Sequence, residues 1–175
     1  KVISDDISKK VKDRYEENPY PRWRFGIKNA TANFLFYLNN DIKPNGIEFN
    51  NKFIKPNVLI AGCGTGQQIL NAIGYQNSNI VAVDLSFASL AYAKRKIKEL
   101  GHKNVEFLQG DILNLNILNK KFDIIECAGV LHHMREPLEG LKVLLNLLEP
   151  HGFLKLGLYS DKARKHIVKI REFIY

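Results

Sequence analysis

The spacing of hydrophobic positions changes at Asn57. Before it, Ile3, Ile7, Val11 and Tyr15 recur every four residues, the repeat of one helix face, and predict a helix over residues 1–18. Asn18-Pro19-Tyr20-Pro21 stops it, because a residue that precedes proline is pushed out of the helical region. A second, shorter apolar helix is expected over residues 29–39, from Ala30 to Leu38. A polar connector from Asp41 to Pro56 follows, with Pro44, Gly46 and Pro56 as breakers.

From Asn57 the chain alternates short apolar runs with helical periods. Asn57-Val58-Leu59-Ile60-Ala61 is continuously apolar after its first residue, as a strand buried on both faces must be. Further strands are expected at 79–84, 104–109, 122–127 and 152–159. Between them come a helix from Gly66 to Gly74, a long one capped by Ser86 and closed at Leu100-Gly101, and one opened by Pro137 and running to Leu148. Asp161 is expected to cap a last basic helix that is still running at Tyr175. Strand–helix repeats of this length specify an α/β fold: a parallel sheet, doubly wound, with helices on both faces.

Composition narrows the class without naming a function. No run approaches the roughly 18–20 apolar residues that cross a bilayer, and the charged opening lacks a signal peptide's apolar centre, so a cytoplasmic protein is expected. Cys63 and Cys127 make neither a disulfide framework nor a metal site; they read as small apolar residues lining a pocket. The net charge of +8 is concentrated on the two flanks of a nearly balanced centre. With no arginine-rich cluster or stacking platform beside that charge, specific nucleic-acid binding is not expected.

The chemistry is concentrated after the first strand, which runs straight into Gly62-Cys63-Gly64-Thr65-Gly66. Glycines there let the backbone turn sharply and approach a ligand. Asp84 ends the second strand, where a carboxylate can accept both hydroxyls of a ribose. Asp111 follows the third strand, either as an adenine contact or as a helix cap. A dinucleotide turn needs G-x-G-x-x-G, but here Gln67 follows Gly66 and the spacing is G-x-G-x-G. No P-loop lysine is present either. An adenosine without a phosphate fits best.

Leu59 to Gly66 resembles the first motif of class I S-adenosylmethionine-dependent methyltransferases, and Val81 to Ser86 resembles the second. Phe107 to Ile112 and Phe122 to Cys127 are similar to the third and fourth. The resemblance covers roughly residues 57–160. It implies a Rossmann-like sheet of strand order 3-2-1-4-5, with S-adenosyl-L-methionine as cofactor. It also implies Asp84 on the ribose, Asp111 on the adenine amino group, Leu85 and Ile112 on either side of the base, and Gly62 and Glu126 near the methionine tail. Cys63, Gly64, Gly66 and Gln67 complete the expected binding turn.

The family's closing strands six and seven are absent from this chain, so residues 56–175 are expected to be a carboxyl-terminally incomplete core. Residues 1–55 are expected to form a lid, with Tyr15, Tyr20 and Trp23 over the donor. Tyr15 to Trp23 resembles the start of methyltransferase modules in bacterial tetratricopeptide-repeat proteins, and such a repeat would lie outside this chain.

Methyl transfer is a displacement with a good leaving group, so alignment supplies much of the acceleration and a base is needed only if the acceptor loses a proton. His132 and His133, just past the fourth strand, are the candidates, and no metal site is expected. A non-catalytic adenosyl-binding scaffold is the main alternative, and a nucleotide-dependent oxidoreductase a weaker one. The acceptor is not legible.

Overall fold

The alternation within single strands determines how this sheet is clothed. In β1 (Asn57–Ala61), Val58 and Ile60 face one side while Leu59 and Ala61 face the other, and all four are fully buried. A strand with two dry faces requires helices above and below. The computed structural model describes residues 3–26, 30–45 and 53–174. It contains β2 (Asn79–Asp84), β3 (Val105–Gln109), β4 (Phe122–Ala128) and β5 (Leu148–Gly157), all parallel, in the order β3-β2-β1-β4-β5.

One apolar layer joins Val58 and Ile60 to Ile69 and Ala72 of α3 (Ile69–Ile73) and to Leu90, Ala93 and Ile97 of α4 (Phe87–Glu99). Phe34 of α2 (Phe34–Asp41) closes that layer through edge contacts with Phe53 and Tyr75, at 5.3 and 5.0 Å between ring centres. The opposite layer joins Leu59 and Ala61 to Ile112 and Leu115 of a 3-10 segment (Ile112–Leu118) and to Leu144 and Leu147 of α5 (Pro137–Leu147).

Several boundaries differ from the sequence reading, each for a local reason. The helix expected at Gly66 starts only at Ile69, because Gly66 has φ +91° and residues 66–68 turn rather than wind. The second helix begins at Phe34, where the Asn33 side chain accepts from the Leu35 amide at 2.9 Å; residues 27–29 and 46–52 lie outside the described residues. β5 begins at Leu148, directly after α5, rather than at Gly152. The last helix, α6, spans Asp161–Ile174, so the cap position falls on Ser160, whose hydroxyl accepts from the Ala163 amide at 3.3 Å.

The first helix, α1 (Asp6–Glu17), sits on the open end of the sheet through one carboxylate. Glu16 accepts from the amides of Phe87 and Ala88 at 2.8 and 2.7 Å, so it caps α4 from another helix. Burial alone would raise the Glu16 pKa, but those amide bonds hold it below the usual carboxylate value. A carboxylate with a depressed folded pKa stabilises above its unfolded value and loses that contribution as pH falls through the folded one. Glu16→Ala is expected to cost about 1 kcal/mol, the usual worth of a cap. In urea titrations the deficit should vanish under acid conditions; an undiminished deficit at pH 3 would assign it to packing instead.

Candidate functional site

The carboxyl ends of the strands open on a cleft of about 290 Å³. Its floor is the glycine turn. The amides of Gly62 and Cys63 both donate to the Val83 carbonyl, at 2.8 and 2.9 Å, which folds the turn across the end of β2. Gly62 has φ +78°, and a Cβ there would stand 2.3 Å from Val130 Cγ2. Gly66 does not line the cleft; its bare Cα lets the turn approach Ala93 of α4, where a Cβ would come within 2.8 Å.

Asp84 and Asp111 reach the same cleft from neighbouring strand ends. Asp84 accepts from the Gly64 amide at 2.7 Å and the Ser86 amide at 2.9 Å, one on each oxygen. Burial raises its pKa, Glu16 adds to that, and the two amides oppose it. Each oxygen keeps a second lone pair for a hydroxyl donor. Asp111 is 4% exposed: one oxygen caps the 3-10 segment through the Leu113 amide at 3.0 Å, and Oδ2 is buried with no partner. The cap and ligand readings of Asp111 are therefore compatible, one per oxygen.

Of the other expected residues, Tyr15, Tyr20, Cys63, Gln67, Leu85, Ile112 and His133 line the cleft. Burial pushes the Cys63 thiol well up, with the Asp84 charge adding to it, and pushes Cys127 up to about 12. Both are free and stay protonated, so neither is a nucleophile at neutral pH.

Three expected residues are placed elsewhere. Trp23 packs edge-on against Tyr92 at 6.3 Å, and its indole N–H donates to the Thr65 carbonyl at 3.0 Å, holding the back of the turn. Glu126, in β4, is buried and accepts the Tyr75 hydroxyl at 2.5 Å; burial raises its pKa, opposed by that bond and by Lys155. His132 is drawn away by stacking on Tyr159 at 3.9 Å, and neither ring nitrogen has a hydrogen-bond partner. Burial, then a neighbouring cation or imidazole, lowers the pKa of both His132 and His133, so both rings are neutral at neutral pH.

The sequence reading missed Ser8, Val11, Thr65, Gln68 and Gly110 as cleft walls, and Ala128–Val130 and Met134 on either side of the histidines. Ser8, Val11 and Tyr15 follow helical spacing and mark the face of α1 that covers the cleft. The period pointed there, but the polar Ser8 was not counted into it.

A model of the methyltransferase domain family matches residues 55–171, well over half the chain. An uncharacterised protein of Rickettsia prowazekii is 34% identical over 153 residues, covering 83% of this chain and 57% of its own length. The solved structure of PKMT2 from Rickettsia typhi in complex with AdoHcy is similar with a TM-score of 0.58 and 32% identity, over 67% of this chain and 24% of that one. An S-adenosylmethionine-dependent methyltransferase from Clostridium acetobutylicum gives 0.57 and 28%, over 65% of this chain and 46% of that one. The chain thus spans less than two thirds of the length of each of these relatives. Among the described residues no helix is long and apolar enough to cross a membrane. The chain belongs to the methyltransferase domain family, and its sheet is the Rossmann-like fold of the S-adenosylmethionine-dependent class I enzymes.

Proposed function

We propose that this chain holds S-adenosylmethionine across the ends of β3, β2, β1 and β4 and presents its methyl group to an acceptor beside His133. The observation that carries this reading is the pair Asp84 and Asp111 facing one cleft, with the buried Asp111 Oδ2 lacking a partner. A buried carboxylate oxygen without a donor is costly, and an adenine amino group would satisfy it. Adjacent strands lie about 4.8 Å apart, so four strand ends span about 14 Å, a suitable length for an extended adenosyl amino acid. In that order Asp111 takes the base, Asp84 the ribose hydroxyls, and the Gly62–Gly64 backbone the tail. Leu85 and Ile112 flank the ring. Gly64 leaves room for the ligand: a Cβ there would meet nothing nearer than the Tyr20 carbonyl at 3.8 Å.

The bound donor supplies an electrophilic methyl group on a good leaving group. The protein's part is alignment and the exclusion of water, by α1 and the Tyr20–Pro21 segment from above. Of residues 1–55, the cap segment, α1 and the Tyr20–Pro21 segment act as that lid while α2 packs into the core layer, and residues 56–175 act as the donor-binding core. The neutral imidazole of His133 takes a proton from an acceptor that must lose one; His132, stacked behind it on Tyr159, positions it. The acceptor is a small molecule or a protein, not a specific nucleic acid. The setting is cytoplasmic, with a tetratricopeptide-repeat region outside these residues, a reading supported by the Tyr15–Trp23 segment.

Calorimetry tests the donor assignment. S-adenosylhomocysteine is expected to bind and NAD is not; the reverse would overturn it. His133→Gln is expected to leave S-adenosylhomocysteine affinity unchanged while slowing turnover of a proton-losing acceptor, and loss of both would make it a binding residue.

A further inference from the structure

His132 and His133 sit on one short 3-10 turn, Leu131–His133, whose start no side chain caps. So brief a turn fixes where the two side chains begin and not where their rings point. His133 reaches the cleft, while the nitrogens of its neighbour His132 are buried and have no hydrogen-bond partner among the described residues. A ring without hydrogen bonds is held by the surfaces it touches. For His132 these are Tyr159, at 3.9 Å between ring centres and tilted by 31°, and His133 itself at 4.2 Å. Tyr159 is half-exposed, in the link between β5 and α6, and a ring so placed is free to turn away unless something covers it. Arg164, in the first turn of α6, does so: its guanidinium carbon stands 3.9 Å from the centre of the Tyr159 ring. A guanidinium over an aromatic face is held there by the negative charge of the ring's π-system. The rings of His133, His132 and Tyr159 and the Arg164 guanidinium thus form one run of contacts from the cleft to α6.

We propose that Tyr159 and Arg164 are positioning residues for the acceptor end: together they fix His132, and through it the side chain of His133 that faces the cleft. The proposal rests on the reading of His133 above and extends it to residues outside the cleft, since neither Tyr159 nor Arg164 lines it. The same contacts carry charge to the site. Burial first, then Arg14 from α1 and Arg164 from α6, keep the His133 ring unprotonated. Burial, His133 and Arg164 do the same for His132. Arg135, two residues on, is paired with Asp5 at 3.9 Å. A base kept in its free form by a cation seated on a tyrosine can accept a proton without first losing one.

NMR tests this without an acceptor, by following the histidine ring resonances of the intact protein across pH. Tyr159→Leu should remove the ring-current shift of the His132 ring protons. It should also raise the titration midpoint of His133 toward that of an exposed imidazole, because burial and the Arg164 charge then bear on it less. Tyr159→Phe keeps the ring and should behave as the unmodified protein does. Arg164→Met removes the charge and should raise the His133 midpoint, which keeps the test decisive if the Leu variant does not fold. Affinity for S-adenosylhomocysteine should stay within about twofold in every variant, as expected for changes that share no partner with the ligand. A Leu variant that keeps both signatures overturns the proposal, as does a Phe variant that loses them as fully as Leu. An unmoved midpoint in Arg164→Met, or a larger loss of S-adenosylhomocysteine affinity, overturns it too. Failure of the base reading looks different: the signatures move as expected, yet His133→Gln turns over a proton-losing acceptor at the unmodified rate.

Discussion

Gly62→Ala is expected to be the most damaging glycine-to-alanine change among the described residues. Its φ of +78° lies in the left-handed region, which costs an L-residue about 1–2 kcal/mol. The added Cβ also meets Val130 Cγ2, Cγ1 and Cβ at 2.3, 3.0 and 3.2 Å, so rotating the side chain about its Cα–Cβ bond leaves a methyl in the way. Overpacking of this kind costs about 1–3 kcal/mol more. The sum, about 2–5 kcal/mol, is a large part of the roughly 5–15 kcal/mol that holds a domain folded. Urea denaturation should show a lower midpoint with an unchanged slope. Gly62→Ala combined with Val130→Ala should recover the steric part and leave the backbone part. A double variant no better than the single one would show that Val130 is not the obstacle.

The second large effect is on binding. Asp84→Ala removes an acceptor for two ribose hydroxyls and also frees the amides of Gly64 and Ser86. Affinity for S-adenosylhomocysteine is expected to drop roughly a hundredfold, about 3 kcal/mol, at the scale of hydrogen bonds to a charged group. Asp84→Asn keeps one oxygen for an amide and separates the two contributions: a well-folded Asn variant with weak binding places the loss on the ribose. Unchanged affinity in either variant refutes the assignment. Because burial raises the Asp84 pKa, the unmodified protein should lose affinity as pH falls, and at a higher pH than an exposed carboxylate would dictate.

The residues legible beforehand were those whose neighbours in sequence are also their neighbours in space. The strand run Val58–Ala61, the glycine turn after it, and acids ending β2 and following β3 all declare themselves locally; the family resemblance implied the strand order that the structure has, and Asp84 and Asp111 do share one cleft. What the sequence hid was set by distant partners. Trp23 belongs to the far side of the turn because Tyr92 and Thr65 are there. Glu126 is tied up within the core by the Tyr75 hydroxyl, and His132 is drawn off by Tyr159. Gln68 looks like any polar residue after a turn until Ala128 fixes its amide. None of these pairings leaves a periodic trace.

The central position of β1 also bears on how the chain acquires its shape. One edge of β1 is covered by β2, which follows closely, but the other waits for β4, more than sixty residues downstream. Val130, which presses on Gly62, lies beyond β4 again. During synthesis from the amino end, the most apolar strand therefore keeps one edge bare until most of the chain has emerged. That is the condition under which parallel sheets fold slowly and attract stray strands. The glycine turn at the cleft floor is consequently among the last features to become firm, although it is among the earliest to be made.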